Sequence, residues 1–336
     1  MDVPVMASPG GSPGSPGRPG GDGEAEGASD SRSLAELRFA VIGTYVADCF
    51  VNTARLPAWG HEYEARAIRT TPGGKALNQA VALARLGAQV AAVGAVGDDG
   101  VGQDVLGALC RERVDVSWMD VREGAATSIC LCFVSDQGDS AIMWHIDDDV
   151  AVRPETVRGA ASAIERADAV LVTFEIPVPA VRKAISAGRR SGARVVVAPA
   201  PLLADPAGAA SLPWDQVDVL VPNENEARAL LASGEDVPAG QLAGALSREL
   251  GVPTVAVTLG AAGCALHAAG ESHLYPAHQV DAVDTTGAGD AFTATFAAHL
   301  TAGASGPTAV EAAQAAAAWA VQRAGSHASM PAPASQ

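Results

Sequence analysis

The chain has few positive charges for its size. Its 336 residues include 22 lysines and arginines against 38 aspartates and glutamates, which gives a formal net charge of -16 at pH 7. A protein this acidic repels the phosphates of nucleic acids and of anionic membrane surfaces, which excludes both as favourable partners. If the protein handles phosphate groups, helix N-termini, a few basic side chains and metal ions must supply positive potential locally.

Long apolar runs and paired cysteines are also missing. The Ala-rich residues 312–321 are too few to cross a bilayer, and they include the polar Gln314. The five cysteines are odd in number and scattered, as is typical of reduced thiols, and we expect a cytoplasmic protein. Cys130 and Cys132 would share one face of a strand, but no second Cys or His pair accompanies them, so a zinc site is not favoured.

The first 33 residues lack the basic start and the apolar run of a signal peptide. They are rich in Gly, Pro, Ser and acidic residues, a composition that buries too little apolar surface to fold. We therefore predict a disordered tail over residues 1–33, followed by one large domain over residues 34–336.

Two common nucleotide-binding fingerprints are absent as well. The chain has no GxxxxGK[ST] sequence, and Phe292 occupies the last glycine position of a GxGxxG pattern that starts at Gly287. The surrounding run, residues 283–292, is nevertheless the most informative in the chain. In it a short β-branched approach ends in a small-residue turn, and an apolar, helix-forming stretch follows at once.

This run predicts an anion site with a carboxylate beside it. Gly287, Ala288 and Gly289 leave backbone N–H groups unobstructed at a predicted helix N-terminus, where an anion is favoured. Asp290 follows on the first turn, and a carboxylate next to a bound phosphate is unfavourable unless it takes a proton from the attacking group. The pattern indicates phosphoryl transfer to a hydroxyl with Asp290 as base. Taken by itself, it is equally typical of a tight connection.

Strand and helix patterns alternate along most of the chain. We predict strands at residues 37–43, 90–96, 169–172, 193–197, 217–221 and 254–259, and helices at 77–86, 102–112, 154–166, 178–191, 224–232 and 240–250. Repeated strand–helix units argue for a parallel sheet covered by helices on both faces. A hairpin of residues 127–134 and 141–146 around the turn 135–139, with the irregular segment 44–70, is expected to form a small antiparallel lid.

Three further clusters carry polar groups at turns. Gly74 opens a second predicted helix, and Lys75 and Asn78 share a face of its first turn, which suits a hydroxyl-rich small molecule or, alternatively, a solvated helix cap. Residues 222–226 follow a strand and end in Glu226, which suits hydrated Mg²⁺ or, equally, N-terminal capping. The turn at residues 258–263 could admit a nucleotide or could be a plain connection.

Together these clusters resemble the ribokinase-like (PfkB) family of ATP-dependent carbohydrate and nucleoside kinases, over nearly everything after the tail. The specific signatures are Gly73-Gly74-Lys75 with Asn78, and residues 284–290 ending in GAGD. The resemblance implies a three-layer α/β sandwich with a mostly parallel central sheet flanked by helices. It also implies a small antiparallel β lid built from residues 44–70 and 125–147.

The resemblance also implies a role for each matching position. The catalytic base corresponds to Asp290, and the anion hole to Gly287, Ala288 and Gly289. In the ribokinase branch, which is the most similar, the sugar contacts correspond to Asp48, Gly74, Lys75, Asn78 and Glu175. The nucleotide contacts correspond to Asn223, Thr258, Gly260, Gly263 and Gln314. Mg²⁺ bound with ATP is organised indirectly by the position of Glu226, and a K⁺ loop corresponds to Asp284, Thr286, Ala320, Arg323, Gly325 and Ser329.

The sequence departs from the ribokinase pattern at several positions. Val46 stands where an Asn usually contacts the sugar, so one hydroxyl loses a hydrogen-bond partner. The usual GGKGAN reads GGKALN, and the turn 198–201 keeps its prolines but loses its Asn. Three adjacent carboxylates at residues 147–149 are typical of a solvated turn, and they would discourage an anionic substrate if they faced the site.

The leading hypothesis is an ATP-dependent kinase that phosphorylates a primary hydroxyl of a free sugar, with ribose as the first candidate. The enzyme alternatives are a nucleoside kinase of the adenosine type and a fructokinase-like enzyme, which an apolar pocket at Val46 would tolerate. A catalytically silent sugar or nucleotide sensor is the alternative from another class, and the intact Asp290, Glu226 and Lys75 argue against it. Exposed lid edges could pair two subunits as a homodimer.

Overall fold

The computed structural model describes residues 32–135, 140–200, 206–231 and 237–331. The predicted tail therefore lies outside the described residues, except for Arg32 and Ser33. Outside them too are most of the predicted hairpin turn, the last residue of the turn 198–201 and the last residue of the predicted helix 224–232. Arg32 contacts the folded domain, since its guanidinium Nη1 donates to Asp168 Oδ1 at 2.6 Å and its backbone N–H donates to the Ala302 carbonyl.

The described residues contain thirteen strands and ten α-helices. The strands are β1 (Arg38–Ile42), β2 (Val46–Asn52), β3 (Ala67–Gly73), β4 (Gln89–Gly97), β5 (Asp115–Arg122), β6 (Ile129–Val134), β7 (Ser140–Met143), β8 (Ala169–Thr173), β9 (Arg194–Ala198), β10 (Val219–Leu220), β11 (Thr254–Thr258), β12 (Cys264–Ala268) and β13 (Glu271–Tyr275). The helices are α1 (Lys75–Arg85), α2 (Gly100–Arg111), α3 (Pro154–Gly159), α4 (Ala161–Arg166), α5 (Val178–Ser191), α6 (Pro206–Ala210), α7 (Glu224–Leu230), α8 (Leu242–Leu250), α9 (Ala288–Thr301) and α10 (Gly306–Val321).

Nine strands form one large sheet in the order β13-β12-β11-β10-β9-β8-β1-β4-β5. The seven strands from β11 to β5 are parallel to their neighbours, and β12 and β13 add an antiparallel edge. The predicted mostly parallel sheet is confirmed. Strand order reverses between β1 and β8, and such a switch point opens a crevice at the carboxyl ends of the strands.

Helices cover both faces of this sheet because its central strands are apolar on both sides. Every residue of β8, whose sequence is AVLVT, is buried. Val41 and Leu171 pack in one core layer with the apolar faces of α1, α9 and α10. Ala40 and Val170 point the other way, into a second layer formed with α5 and α8. The sheet is thus a rigid platform buried between two layers of helices.

The second sheet has four strands in the order β3-β2-β6-β7. The β2–β3 and β6–β7 pairs are antiparallel, and the central β2–β6 pair is parallel. This small sheet is the predicted lid: β6 and β7 form the expected hairpin, and β2 and most of β3 lie within the segment predicted as irregular. Asp48 in the middle of β2 is paired with Thr71 of β3 on one side and with Cys130 of β6 on the other.

Several predicted boundaries are wrong. The helix predicted over residues 154–166 is two helices, α3 and α4, which meet at Ala160 just after Gly159, a residue that weakens a helix interior. The strand predicted over residues 217–221 is reduced to the two residues of β10, because a 3₁₀ turn at Trp214–Gln216 precedes it and Pro222 follows it. No helix in the described part of the chain is both long and apolar enough to span a membrane.

Candidate active site

Polar residues converge at the carboxyl ends of the strands that border the switch point. Thr44 follows β1 and Glu175 follows β8, and the Thr44 hydroxyl donates to the Glu175 carbonyl at 2.9 Å. Helix α1 starts at Lys75, one residue after the end of the lid strand β3. The crevice expected at such a switch point is therefore bounded by the large sheet, by the lid and by the N-terminus of α1.

Asp290 lies on the first turn of α9 and is buried, with 7% of its surface exposed. Gly287 precedes the helix with φ of 81°, a left-handed conformation that suits glycine. Asn78 Nδ2 donates to Asp290 Oδ2 at 2.9 Å, and Gln79 Nε2 donates to Asp290 Oδ1 at 3.2 Å. Two amides from α1 therefore hold the carboxylate as a hydrogen-bond acceptor, in the form that can receive a proton.

Gln79 was not among the residues predicted from the sequence. Its contact depends on α1 packing against α9, which brings together side chains 211 positions apart in the chain. The only available signal was its place in the first turn of α1, next to Asn78. The structure also gives Asn78 a partner in Asp290, in addition to the sugar contact that the family resemblance implies for it.

Lys75 is the positive charge at the centre of this group. Burial by itself lowers the pKa of the Lys75 ammonium, but nearby carboxylates outweigh it, and the pKa is raised above its usual value. In order of effect these carboxylates are Asp290, Glu175, Glu226 and Asp48. The structure therefore brings the predicted base, two predicted sugar contacts and the predicted magnesium residue around one lysine.

Three of the carboxyl groups around Lys75, those of Glu175, Asp48 and Glu226, resist ionisation because they are buried. Burial raises the pKa of Glu175 to about 8. Burial also raises the pKa of Asp48 to about 6, and the charge of Asp290 acts in the same direction. Glu175 is held in place partly by the Lys75 backbone N–H, which donates to Glu175 Oε2 at 3.3 Å. With its pKa at about 8, Glu175 is protonated at neutral pH, so up to three carboxylates accompany one ammonium, and the site favours cationic ligands or neutral, hydroxyl-rich ones.

Glu226 takes part in a complete capping box at the start of α7. The Asn223 backbone N–H donates to Glu226 Oε2 at 2.9 Å, and the Glu226 backbone N–H donates to Asn223 Oδ1 at 2.9 Å. Helix capping, which the sequence left open as an alternative, is therefore present. Glu226 nevertheless remains part of the site, because its carboxylate is close enough to Lys75 to raise the pKa of the Lys75 ammonium. Burial also raises the pKa of Glu226 itself.

The predicted nucleotide contacts lie along the neighbouring strand ends. Asn223 and Thr258 form an isolated parallel bridge, so the ends of β10 and β11 are adjacent. Gly263 closes the next turn with φ of 103°, and a Cβ atom there would lie 1.9 Å from the Tyr275 carbonyl oxygen. Gln314 on α10 is buried and donates to the same Tyr275 carbonyl at 3.0 Å. The turn and α10 thus meet at Tyr275, next to residues for which the family resemblance implies nucleotide contacts.

The predicted cation loop is brought together through Asp284. Its Oδ1 accepts from the Thr286 backbone N–H and its Oδ2 from the Gly325 backbone N–H, both at 2.9 Å. Ser329 is fully buried, and its hydroxyl donates to the Ser326 carbonyl. Ser326 is buried, and its hydroxyl lies close enough to the Asp48 carboxyl to act against the rise in the pKa of that group. A carboxylate and backbone carbonyls are oxygen donors of the kind that fit a monovalent cation.

Two members of the predicted loop have other contacts. The Arg323 backbone N–H donates to the Ala320 carbonyl at 3.0 Å. The Arg323 guanidinium stacks on Trp319 with its Cζ 3.5 Å from the ring centroid. Arg323 and Ala320 could therefore serve a cation only through backbone carbonyls, and the Ala320 carbonyl already accepts from the Gln322 and Arg323 backbone N–H groups.

The structure shows where two of the departures from the family pattern lie. Val46 is buried, and its Cγ2 lies close to Gly74, where an added Cβ would be 3.3 Å away. Val46 therefore lines the crevice between the lid and α1. Asp147, Asp148 and Asp149 are all exposed, as expected for a solvated turn.

Comparisons with known proteins identify the family. A model described as the pfkB family carbohydrate kinase matches residues 37–333. A ribokinase of Haemophilus influenzae is 30% identical over 294 residues, which cover 87% of this chain and 94% of the relative. A deoxyribokinase of Salmonella typhi is 30% identical over 261 residues, 77% of this chain and 84% of the relative. The structure of Arabidopsis thaliana ribokinase complexed with ribose and ATP matches with a TM-score of 0.75 at 28% identity, covering 88% of this chain and 96% of that one.

A lidded parallel sheet with a carboxylate on a glycine-opened helix at its switch point defines a small-molecule kinase. The chain belongs to the pfkB family of carbohydrate kinases. It is an ATP-dependent sugar kinase.

Proposed function

We propose that the protein transfers the γ-phosphate of ATP to a primary hydroxyl of a free sugar, with ribose as the preferred substrate and Asp290 as the base. The observation that carries this proposal is the buried Asp290 carboxylate, which two amides hold as an acceptor at the N-terminus of α9. A carboxylate oriented in this way can take a proton from a hydroxyl at the moment of attack.

In the proposed step, Asp290 and the backbone N–H groups just before it act on opposite parts of the reaction. The sugar oxygen forms a bond to the γ-phosphorus while the bond from that phosphorus to the bridging oxygen of ADP breaks, and the hydroxyl proton passes to Asp290. The Ala288 backbone N–H, predicted as part of the anion hole, donates to the Thr285 carbonyl at 3.3 Å, so the backbone N–H groups of Gly287 and Gly289 stabilise the charge on the phosphoryl oxygens. There is room for them to do so, because a Cβ added to Gly289 would meet no atom within 4 Å.

Two cations are part of the proposal. Mg²⁺ with ATP would neutralise phosphate charge, and Glu226 would organise it through water, since its carboxylate oxygens already accept from Asn223. K⁺ would occupy the loop around Asp284, where it would order the turn that precedes α9. Both cations would offset the excess of carboxylates around Lys75.

The sugar is assigned through Asp48 and the relatives. Asp48 is buried in the central lid strand β2 and would accept hydrogen bonds from sugar hydroxyls. Relatives at 30% identity include both a ribokinase and a deoxyribokinase. The side chain of the buried Val46 cannot hydrogen-bond a hydroxyl, which makes deoxyribose, a sugar with one hydroxyl fewer, the second candidate.

A substrate panel tests this assignment. ADP release would be measured with ribose, 2-deoxyribose, fructose and adenosine, in the protein and in Val46→Asn. We expect ribose to give the highest kcat/KM, and Val46→Asn to raise the ratio of ribose to deoxyribose by about tenfold, because a new amide would bind the additional hydroxyl. A preference for adenosine or fructose would overturn the ribose assignment.

We also propose a cytoplasmic homodimer. All five cysteines are free, which suits a reducing compartment. The outer strands of the lid, β3 and β7, carry exposed apolar side chains, with Ile68 65% and Met143 63% exposed. A second copy that covered these strands would protect both the unpaired edges and the apolar surface.

A further inference from the structure

Two cysteines and one aspartate meet on the inner face of the lid. Cys130 and Cys132 are two residues apart on β6, so their side chains point to the same face. Asp48 of β2 is paired in parallel register with Cys130. A carboxylate oxygen of Asp48 and the two Sγ atoms all lie within 4.8 Å of one another.

This cluster is sheltered and reduced. Asp48 is 6% exposed and Cys132 4% exposed, while Cys130 is half-buried and gives access from the crevice. Both cysteines are free thiols. The backbone makes room for the carboxylate, since a Cβ on Gly73 would lie 1.9 Å from Asp48 Oδ2. A carboxylate held against two thiols in a buried position is not explained by apolar packing.

We propose that these three side chains bind a thiophilic divalent cation, Zn²⁺, with water as the fourth ligand. Tetrahedral zinc holds sulfur at about 2.3 Å and carboxylate oxygen at about 2.0–2.2 Å, so neighbouring ligand atoms lie roughly 3.5–3.8 Å apart. The observed cluster needs only small side-chain movements to reach that spacing. Each thiol releases its proton to solvent as its sulfur bonds to the metal, and no atom changes oxidation state.

The sulfur ligands distinguish this site from the sites proposed for the two cations of the phosphoryl transfer. Mg²⁺ and K⁺ prefer oxygen donors, whereas thiolates select zinc and similar metals. The sequence did not favour zinc, because Cys130 and Cys132 had no second Cys or His pair beside them. The third ligand is supplied by the fold, from a strand about 80 residues earlier.

The position of the site gives it a consequence for catalysis, which rests on the proposed function. Asp48 is the proposed acceptor for sugar hydroxyls, and a carboxylate bonded to zinc is withdrawn from that role. Zinc and sugar then compete for the same side chain, so zinc inhibits the enzyme competitively with sugar and a chelator reverses the inhibition.

The binding site itself is tested with Co²⁺ as a spectroscopic probe on the full-length protein, kept reduced with a phosphine. We expect one Co²⁺ per chain with a thiolate-to-cobalt charge-transfer band in the near ultraviolet. Cys130→Ser and Cys132→Ser should each lose the band and bind Co²⁺ at least tenfold more weakly. The matched control is Cys49→Ser, because Cys49 adjoins Asp48 on β2 but faces the other way.

The outcomes separate the two parts of the inference. Three results would each overturn the zinc site, whatever the kinase activity. The wild-type protein could show no charge-transfer band, the band could survive in both lid cysteine variants, or the band could disappear in Cys49→Ser. Circular dichroism of each variant shows that the fold is intact. Saturating ribose should weaken Co²⁺ binding by tenfold or more, and unchanged binding in an active enzyme overturns the competition.

Discussion

At the scale of single residues, the site is organised by an imbalance of charge around Lys75. Four carboxyl groups surround one ammonium. Burial raises the pKa values of Glu175 and Asp48, and the charge of Asp290 acts in the same direction.

Asp290 differs from the others in that amide side chains of another helix, Asn78 and Gln79 of α1, donate to its two oxygens. Both Glu226 oxygens accept instead from Asn223 within the same capping box. The packing of α1 against α9 thus fixes the orientation of the Asp290 carboxylate.

Replacement of Asp290 by Asn tests its role as base. Asn keeps the size of the side chain but cannot accept the hydroxyl proton, so kcat should fall by roughly 10²–10⁴-fold. Nucleotide affinity, measured by calorimetry, should change little. The control is Asp104→Asn, which removes an exposed carboxylate on α2. An Asp290→Asn enzyme that keeps more than about a tenth of its activity would contradict the assignment.

Glu175 links the site to stability. Its pKa is about 8 in the folded protein against 4.5 for an unperturbed glutamate. Between these values the unfolded chain loses the proton while the folded chain keeps it, so the free energy of unfolding falls as pH rises from about 4.5 to about 8. Thermal melts at pH 5 to 9 should show the wild-type Tm falling relative to that of Glu175→Gln, with the gap levelling off above about pH 8.

The control for this measurement is Glu165→Gln, at an exposed glutamate on α4. A plot of its Tm against pH should run parallel to that of the wild type. If Glu175→Gln also ran parallel, the proton on Glu175 would not be linked to folding.

The site residues that were predicted from the sequence without the family resemblance all belong to a local motif. Lys75, Asn78, Glu226 and Asp290 each stand at the start of a helix, next to a turn that exposes backbone groups. Gln79 and Ser326 were missed because nothing local marks them. Gln79 reaches Asp290 only because α1 packs against α9. The Ser326 hydroxyl is buried only in the folded loop.

At the scale of elements, the cation loop ties three parts of the fold together. Asp284 connects the approach to α9 with Gly325, beyond the end of α10. His327, in the same loop, contacts the lid, since its Nδ1 lies 2.6 Å from the Pro72 carbonyl oxygen in β3. A cation bound at the loop would therefore order both the turn at Gly287 and the contact with the lid.

Monovalent cations should accordingly activate the enzyme. We expect a higher rate in K⁺ than in choline at equal ionic strength. Asp284→Asn should raise the K⁺ concentration for half-activation by about tenfold, or about 1.4 kcal/mol, because it removes the negative charge of the loop. Asp281→Asn, in the same segment but exposed, is the control. Equal rates in K⁺ and choline would remove K⁺ from the mechanism.

Elements were predictable where the hydrophobic pattern is strong. Helix α5 was predicted with its observed bounds, because its apolar positions repeat with the helical period between Pro177 and Gly192. Strands β5, β12 and β13 were missed. β13 is almost entirely exposed at the edge of the sheet, and β5 has only one buried residue, so neither shows the apolar run of a central strand.

At the scale of the whole molecule, a strongly acidic surface encloses a site that must accept the anion ATP. The net charge of -16 repels nucleotide at long range, so affinity has to come from helix N-termini, Lys75 and accompanying cations. The lid is the one part of the described structure that presents several large apolar side chains near free strand edges. That combination is the reason for proposing a dimer through the lid.

The dimer can be tested by one charge on β3. Light scattering after gel filtration should give twice the mass of the chain, and Ile68→Lys should shift the protein to the monomer. Leu274→Lys, which places the same charge at a similarly exposed leucine on β13, should leave the dimer intact. A wild-type monomer, or an Ile68→Lys variant that still dimerises, would contradict association through this face.

The connection between lid and body limits where the chain tolerates engineering. A single residue, Gly74, separates β3 from α1, and its φ of 96° and its closeness to the Thr44 carbonyl leave no space for a side chain. One residue inserted there would turn Lys75 and Asn78 by about 100° around the helix axis. The outer lid loop at residues 54–65 is mostly exposed and lies between β2 and β3. A fluorescent label or an affinity tag belongs in that loop, where added length leaves the register of both lid junctions unchanged.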